Sequence, residues 1–414
     1  MCVQYLKCLT KGTLILLVLL FCSCRNFHQV QSQNIPNTSN IPDLKESKSD
    51  TIVFGAQQTS YYLPLLKDKK VAVVANQTSI LWSSHGKKVH VVDTLLTQGV
   101  SIKKIFAPEH GFRGQQDAGE KVNHGVDQKT GLPIFSLYGS QKKPSKETLK
   151  GIDVLVFDIQ DVGARFYTYL STLHYIMEAA AEQQIPVIVF DRPNPNGHYI
   201  DGPVLQPNCK SFVGLHPVPI VYGMTIGEYA QMINGERWLK NGIQCDLTVI
   251  PLQNYTHTTT YELPVIPSPN LPNAQSIQLY PSLCLFEGTN VSVGRGTDKQ
   301  FQIYGSPWLP VSDFSFTPVS RTGAVHPKNQ GKLCYGKDLR AVKALPSLNL
   351  NYLMTAYQQT TQPSKFFNTF FDKLSGNIQL KKQIQQGMDV TSIRQSWQPD
   401  LDTFKNIRLE YLLY

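Results

Sequence analysis

Three apolar runs in the first half of the chain each stop abruptly in a polar residue. They are Val71-Ala-Val-Val-Ala-Asn76, Asp153-Val-Leu-Val-Phe-Asp158 and Ile185-Pro-Val-Ile-Val-Phe-Asp191. A weaker run, Lys104-Ile-Phe-Ala107, stops at Pro108-Glu109-His110-Gly111. Continuous apolar runs of this length are the pattern of strands buried on both faces of a parallel sheet. Helical segments alternate with them. Val91 to Leu96 opens a short helix. In Phe166 to Gln184, the residues Tyr169, Leu173, Ile176, Met177 and Ala180 fall on one face at helical spacing. The alternation predicts an α/β fold with a doubly wound, mostly parallel sheet. In such sheets ligands bind beyond the carboxyl ends of the strands. Asn76, Glu109, His110, Asp158, Asp161, Asp191 and Arg192 are therefore expected to converge on one cleft. The polar connection from Gly111 to Gly151 is too long for a tight turn and is expected to cover that cleft.

From about Ser211 the texture changes to proline and short extended runs, Leu247 to Leu252 and Leu263 to Pro272. Gly227 to Trp238 reads as a helix. A glycine-rich loop spans Glu287 to Asp298, and the end of the chain is mostly helical over Phe366–Lys373, Asn377–Gly387 and Val390–Tyr411. These patterns predict a first domain over residues 51–210 and a smaller α+β domain over residues 211–414 that closes the cleft.

The N-terminus changes the picture of where the protein works. Lys7 and Lys11 precede an apolar run from Leu14 to Phe21, too short to span a bilayer, which needs about 20 residues. Phe21-Cys-Ser-Cys24 then matches a bacterial lipobox, with Phe where Leu is usual. It predicts a signal peptide over residues 1–23 and lipid on Cys24. Residues 24–50, rich in Gln, Asn, Ser and Pro, read as a disordered tether. The expectation is an exported, periplasmic protein held to a membrane, the outer one, only through that lipid. The net charge is +9, and loss of the two signal lysines leaves about +7. No basic run is dense enough for nucleic acid. Of eight cysteines, Cys209, Cys245, Cys284 and Cys334 lie beyond the leader, without C-x-x-C spacing or zinc pattern. No metal or cofactor is expected, and the oligomeric state is not legible.

Several motifs carry candidate chemistry. The Pro and Gly around Glu109 hold it rigidly at a strand end, where burial could make it a general acid. Asp158-Ile-Gln-Asp161 suits metal binding, acid/base work, or a cap on the following helix. Arg165 and Arg192 could grip a carboxylate in bidentate fashion, or Arg192 could pair with Asp191. Glu287 enters its loop straight after an apolar run and can face the cleft. Gly294-Arg-Gly-Thr-Asp298 lacks the lysine spacing of a phosphate loop.

Across these segments the chain resembles the exo-β-N-acetylmuramidase family of NamZ type. The matching stretches are Ala75–Thr78, Phe106–Gly114, Leu137–Gly139, Asp153–Tyr169, Asp191–Gly197, Glu287–Asp298 and Tyr411–Tyr414. The resemblance implies a Rossmann-like domain, a smaller domain and a site between them. It implies release of terminal N-acetylmuramic acid from the non-reducing end of peptidoglycan fragments, so that muramyl saccharides are the partners. Glycoside hydrolysis generally uses two carboxyl groups. Glu109 is then the general acid, partnered by Glu287, or by Asp158 or Asp161; assistance by the sugar's own acetamido group stays open, as does the stereochemistry. Arg113, Arg165, Arg192 and Arg295 are available for the lactyl carboxylate. Asn76, His110, Tyr167, Asp191, Asn194 and Asp298 complete the expected binding set. One departure is Gln300-Phe-Gln302, where a Pro-Phe-Glu run is expected. Two rival readings are a non-catalytic lipoprotein that binds cell-wall sugars and a metal-dependent hydrolase built on Asp158, Asp161 and Asp191.

Overall fold

The computed structural model describes residues 51–83, 85–112 and 125–414. The lipid site Cys24, the tether and Arg113 lie outside the described residues.

Seven strands form the main sheet. In spatial order they are Gly125–Val126, Pro133–Ser136, Ser101–Ala107, Lys70–Ala75, Val154–Asp158, Val187–Phe190 and Leu247–Ile250. All neighbours are parallel except the first pair. Numbered along the chain, the six parallel strands lie in the order 3-2-1-4-5-6, the doubly wound Rossmann arrangement. Side chains alternate between faces with the strand period of two. Val71, Val73, Val156, Ile188 and Phe190 enter the core on one face. Ala72, Val74, Leu155, Phe157, Val187 and Val189 enter the core on the other, which continues as far as Trp397 and Phe404.

The helix after the fourth strand spans Tyr169–Glu182, and its buried residues include Leu173, Ile176, Met177 and Ala180, as the spacing predicts. The chain takes eleven residues beyond Asp158 to reach it because Asp158 to Thr168 form an irregular buried turn. Gly163 sits there at φ +77, and a Cβ on it would lie 2.1 Å from Asn194 Oδ1. Only glycine fits that close approach.

Two expectations change. The Gly111–Gly151 connection contributes two strands to the sheet edge, Gly125–Val126 and Pro133–Ser136, rather than only covering the cleft. Leu247–Ile250, beyond residue 210, pairs in register with Val187–Phe190 and is the opposite edge. It reaches that place through the helix Ile226–Gly235, started by a reciprocal Thr225–Glu228 capping box.

The remaining chain adds a three-stranded antiparallel sheet, Ile303–Ser306, Cys334–Asp338 and Ser315–Phe316. It also adds helices Ala274–Leu283, Asn351–Gln359, Phe371–Ser375, Gln379–Gln385 and Val390–Leu409. Cys209, Cys245, Cys284 and Cys334 are free and buried.

Candidate active site

A cavity of about 280 Å³ opens beyond the carboxyl end of the Ser101–Ala107 strand. That is the low end of ligand-pocket sizes, about 300–1,000 Å³, and suits a single sugar unit. Among the described residues, Glu109 and Glu287 are the two acidic residues on its lining, and Arg295 is its one guanidinium.

Glu109 is delivered by the strand end. Pro108 ends the ladder, and His110 follows in the left-handed region at φ 70. A non-glycine residue held there is uncommon and concentrates at functional sites. Thr168 Oγ1 donates to Glu109 Oε2 at 2.9 Å. Tyr138 makes a side-chain hydrogen bond to the same carboxyl group, and burial together with the Glu109 charge pushes its phenol pKa up. Tyr169 OH donates to the Glu109 carbonyl at 3.3 Å. Three side chains from two separate segments therefore fix this residue.

Glu287 reaches the pocket from a distant part of the chain. It sits in the 3-10 turn Cys284–Gly288 that follows helix Ala274–Leu283. Lys328 Nζ donates to the carbonyls of Phe286 at 2.9 Å and Glu287 at 3.2 Å, bracing the turn from behind. Burial lowers the Lys328 pKa, and the Glu287 charge opposes that. Arg295 Nε lies 3.2 Å from Glu287 Oε1. Burial alone would lower the Arg295 pKa, but Glu287, Tyr280, Cys284 and Glu109 together hold it above its ordinary value.

The glycine-rich loop exists to place this arginine. Gly294 and Gly296 both stand at φ +80, and a Cβ on Gly296 would lie 2.5 Å from the Val319 carbonyl. The loop is a side-chain mount rather than a phosphate cradle. Arg295 stacks its guanidinium 5.4 Å from the Phe301 ring centre, and Phe301 meets Tyr280 edge-on at 4.9 Å. Phe301 is itself left-handed at φ 52. It is the middle residue of the Gln300-Phe-Gln302 departure. Gln302 accepts from Asn273 at 3.1 Å and does not line the pocket.

Of the other expected residues, His110 and Tyr167 line the pocket. Tyr167 OH donates to the Pro267 carbonyl at 2.9 Å. Asn76, Asp158, Asp161, Arg165, Asp191, Arg192, Asn194 and Asp298 do not line this pocket. Asp158 is fully buried and forms a two-pronged pair with Arg192, at 2.5 Å to Nε and 2.9 Å to Nη2. Burial raises its pKa against that pairing. Arg192 therefore pairs with Asp158, and its Nη2 also donates to the Ile80 carbonyl at 2.9 Å.

Asp161 caps the turn at the Gly163 amide, 2.8 Å away, and accepts from Tyr222 OH. Burial pushes its pKa up to about 6. Asp191 accepts from Thr225 OH at 2.7 Å, the Gly227 amide at 2.8 Å and Tyr414 OH at 2.8 Å. Burial, and after it the Glu228 charge, raise its pKa to about 7. The three-aspartate metal arrangement is therefore not formed.

Arg165 is buried against the carbonyls of Pro203, Val218 and Leu374 and meets no carboxylate among its hydrogen-bond partners. Asn76 Oδ1 accepts from Thr78, and Asn194 ties its own loop to the Met224 carbonyl. Asp298 is exposed beside Lys299 at 3.3 Å.

Residues the sequence reading missed include Tyr138 and Thr168, which hold Glu109, and Tyr280 and Phe212 on the pocket walls. Tyr138 and Thr168 lie inside segments already singled out, Leu137–Gly139 and Asp153–Tyr169. Their roles needed the tertiary contact with Glu109 to become visible.

Two carboxyl groups lining one small pocket together with a guanidinium make a glycosidase type of site. The comparisons give the family. The model described as Exo-beta-N-acetylmuramidase NamZ, N-terminal, matches residues 71–275, and its C-terminal counterpart matches residues 278–414. The chain belongs to this family.

A curated relative, the peptidoglycan beta-N-acetylmuramidase NamZ of Bacillus subtilis (strain 168), is 40% identical over 379 residues, covering 85% of this chain and 89% of that protein. Two crystal structures of DUF1343 family proteins from Bacteroides fragilis NCTC 9343 share the fold. One is 46% identical with a TM-score of 0.81, covering 88% of this chain and 99% of that one. The other is 28% identical with a TM-score of 0.76, covering 88% and 100%.

Proposed function

We propose that the protein is an exo-acting β-N-acetylmuramidase that releases terminal N-acetylmuramic acid from the non-reducing end of peptidoglycan fragments, in cell-wall turnover and recycling. The observation that carries this reading is that Glu109 and Glu287, from distant parts of the chain, line one pocket. Glycoside hydrolysis asks one carboxyl group to protonate the leaving oxygen and another to act as a carboxylate.

Glu109 is the general acid. Its partners include the hydroxyls of Thr168 and Tyr138, which can donate to a carboxylate or accept from a carboxylic acid. Glu287 lies beside the Arg295 guanidinium, a donor-only partner, and acts as the carboxylate. Tyr280, with Phe301 packed against it, gives the pocket an apolar aromatic wall. Arg295 holds Glu287 and meets the lactyl carboxylate, the group that distinguishes muramic acid from glucosamine. The lipobox at Phe21-Cys-Ser-Cys24 supports export and anchoring through Cys24, which would place the enzyme in the periplasm on the outer membrane.

The test compares a chromogenic β-muramide with the matching β-glucosaminide and follows products from a short glycan. The muramide should have at least about tenfold higher kcat/KM, because it alone offers the Arg295 guanidinium a further carboxylate. Free muramic acid should be the first product. Arg295→Met should shrink the preference between the two sugars. Equal rates, or internal fragments appearing first, would overturn the specificity. A protein that binds muramyl sugars without turnover would be the non-catalytic lipoprotein instead.

A further inference from the structure

The pocket has room for one sugar unit, so the sugar on the leaving side of the scissile bond must lie at its mouth. We propose that Phe212 is the platform of that aglycone subsite, with the Lys142 ammonium over its ring, and that it takes a pyranose ring such as a glucosaminyl unit. The inference rests on the muramidase reading with Glu109 as acid.

The acid must reach the glycosidic oxygen, and the leaving sugar hangs from that same oxygen. The aglycone therefore lies close to Glu109. The Phe212 ring centre is 6.4 Å from that of Tyr138, and the Tyr138 hydroxyl is bonded to Glu109. Phe212 lines the pocket and remains half-buried, so part of it faces the mouth.

Its position is also fixed in advance of binding. Ser171 Oγ donates to the Phe212 carbonyl at 2.7 Å. Ser211 and Gly214 exchange backbone hydrogen bonds at 2.9 Å around it. Tyr175 stacks nearly parallel to it, with centres 6.3 Å apart and 14° between the planes. A braced aromatic side chain loses little freedom when a sugar lies on it, which is the condition for a useful contact. Lys142 Nζ lies 4.3 Å from the Phe212 ring centre. It offers hydrogen-bond donors to the hydroxyl and acetamido oxygens of an incoming ring.

The experiment compares two substrates with the same muramyl unit. Methyl β-N-acetylmuramide has no aglycone ring; the β-1,4-linked disaccharide of N-acetylmuramic acid and N-acetylglucosamine has one. For Phe212→Ala, the ratio of kcat/KM for the disaccharide to that for the methyl glycoside should fall at least about fivefold. Phe212→Tyr, which keeps the platform, should restore most of the ratio. Lys142→Met should lower the ratio in the same direction and gives a second reading if Phe212→Ala folds poorly. An unchanged ratio in both Phe212→Ala and Lys142→Met, with the wild type active on both substrates, would overturn the subsite while leaving the muramidase reading intact. A wild type that cleaves neither substrate would remove both.

Discussion

Thr168 donates its hydroxyl to Glu109 at 2.9 Å, so the residue that precedes helix Tyr169–Glu182 holds the acid at the end of another strand. Thr168→Val keeps the shape and deletes the donor. A hydrogen bond to a group that ionises contributes about 1.5–3 kcal/mol, so kcat should fall roughly tenfold or more. The melting temperature should change little. A variant with wild-type kcat would show that Glu109 does not depend on this contact.

Asp158 and Arg192 are framework rather than chemistry. Asp158→Ala leaves a fully buried guanidinium without its carboxylate. Breaking a buried pair from one side typically costs about 3–5 kcal/mol. Urea unfolding should show a loss of that order. A catalytic Asp158 would give the opposite pattern, with stability kept and turnover lost in fully folded protein.

Asp191 should leave a mark on the pH dependence of stability. Its pKa rises from 3.8 to about 7 on folding, because burial disfavours the charged form. The folded state then binds the proton more tightly than the unfolded chain. The contribution is fully present below about pH 3.8 and is lost as pH rises through about 7. Asp161, raised to about 6, acts in the same sense. His174, lowered to about 4 by burial, acts in the opposite sense and costs stability as pH falls below 6.5. Asp191→Asn isolates the first effect because it resembles the protonated acid. Wild type should lose stability relative to Asp191→Asn from pH 5 to pH 8. Wild type gaining stability relative to Asp191→Asn over that range would mean that the charged carboxylate is the stabilising form.

The sheet was largely legible in the sequence because its central strands are uninterrupted apolar runs, and a strand buried on both faces has no other way to look. Leu247–Ile250 was harder. It is a short edge strand with a partly exposed face, and prolines follow it. Helix Ala274–Leu283 was hidden by Pro281 within it and Pro272 before it, although Asn273 provides a complete cap.

The site was half legible. Polar residues that end buried strands read alike from sequence, whether they face a cavity or one another. Asp158, Asp161 and Asp191 face partners that lie 34, 61 and 34 residues away, in Arg192, Tyr222 and Thr225. Glu109 stood out because Pro108 and Gly111 force it away from the ladder. Glu287 stood out because it closes an apolar run in a loop whose glycines serve Arg295.

The central claim is that Glu109 donates the proton and Glu287 acts as the carboxylate. It is tested most directly by measuring kcat for wild type, Glu109→Gln and Glu287→Gln on two muramides that differ in leaving group. One leaves as a sugar hydroxyl, which must be protonated; the other leaves as nitrophenolate, which need not be. Glu109→Gln should lose at least about a hundredfold on the disaccharide and far less on the nitrophenyl glycoside. Glu287→Gln should lose at least about a hundredfold on both. Equal losses for Glu109→Gln on the two substrates, or near wild-type turnover of either variant on the disaccharide, would contradict the assignment.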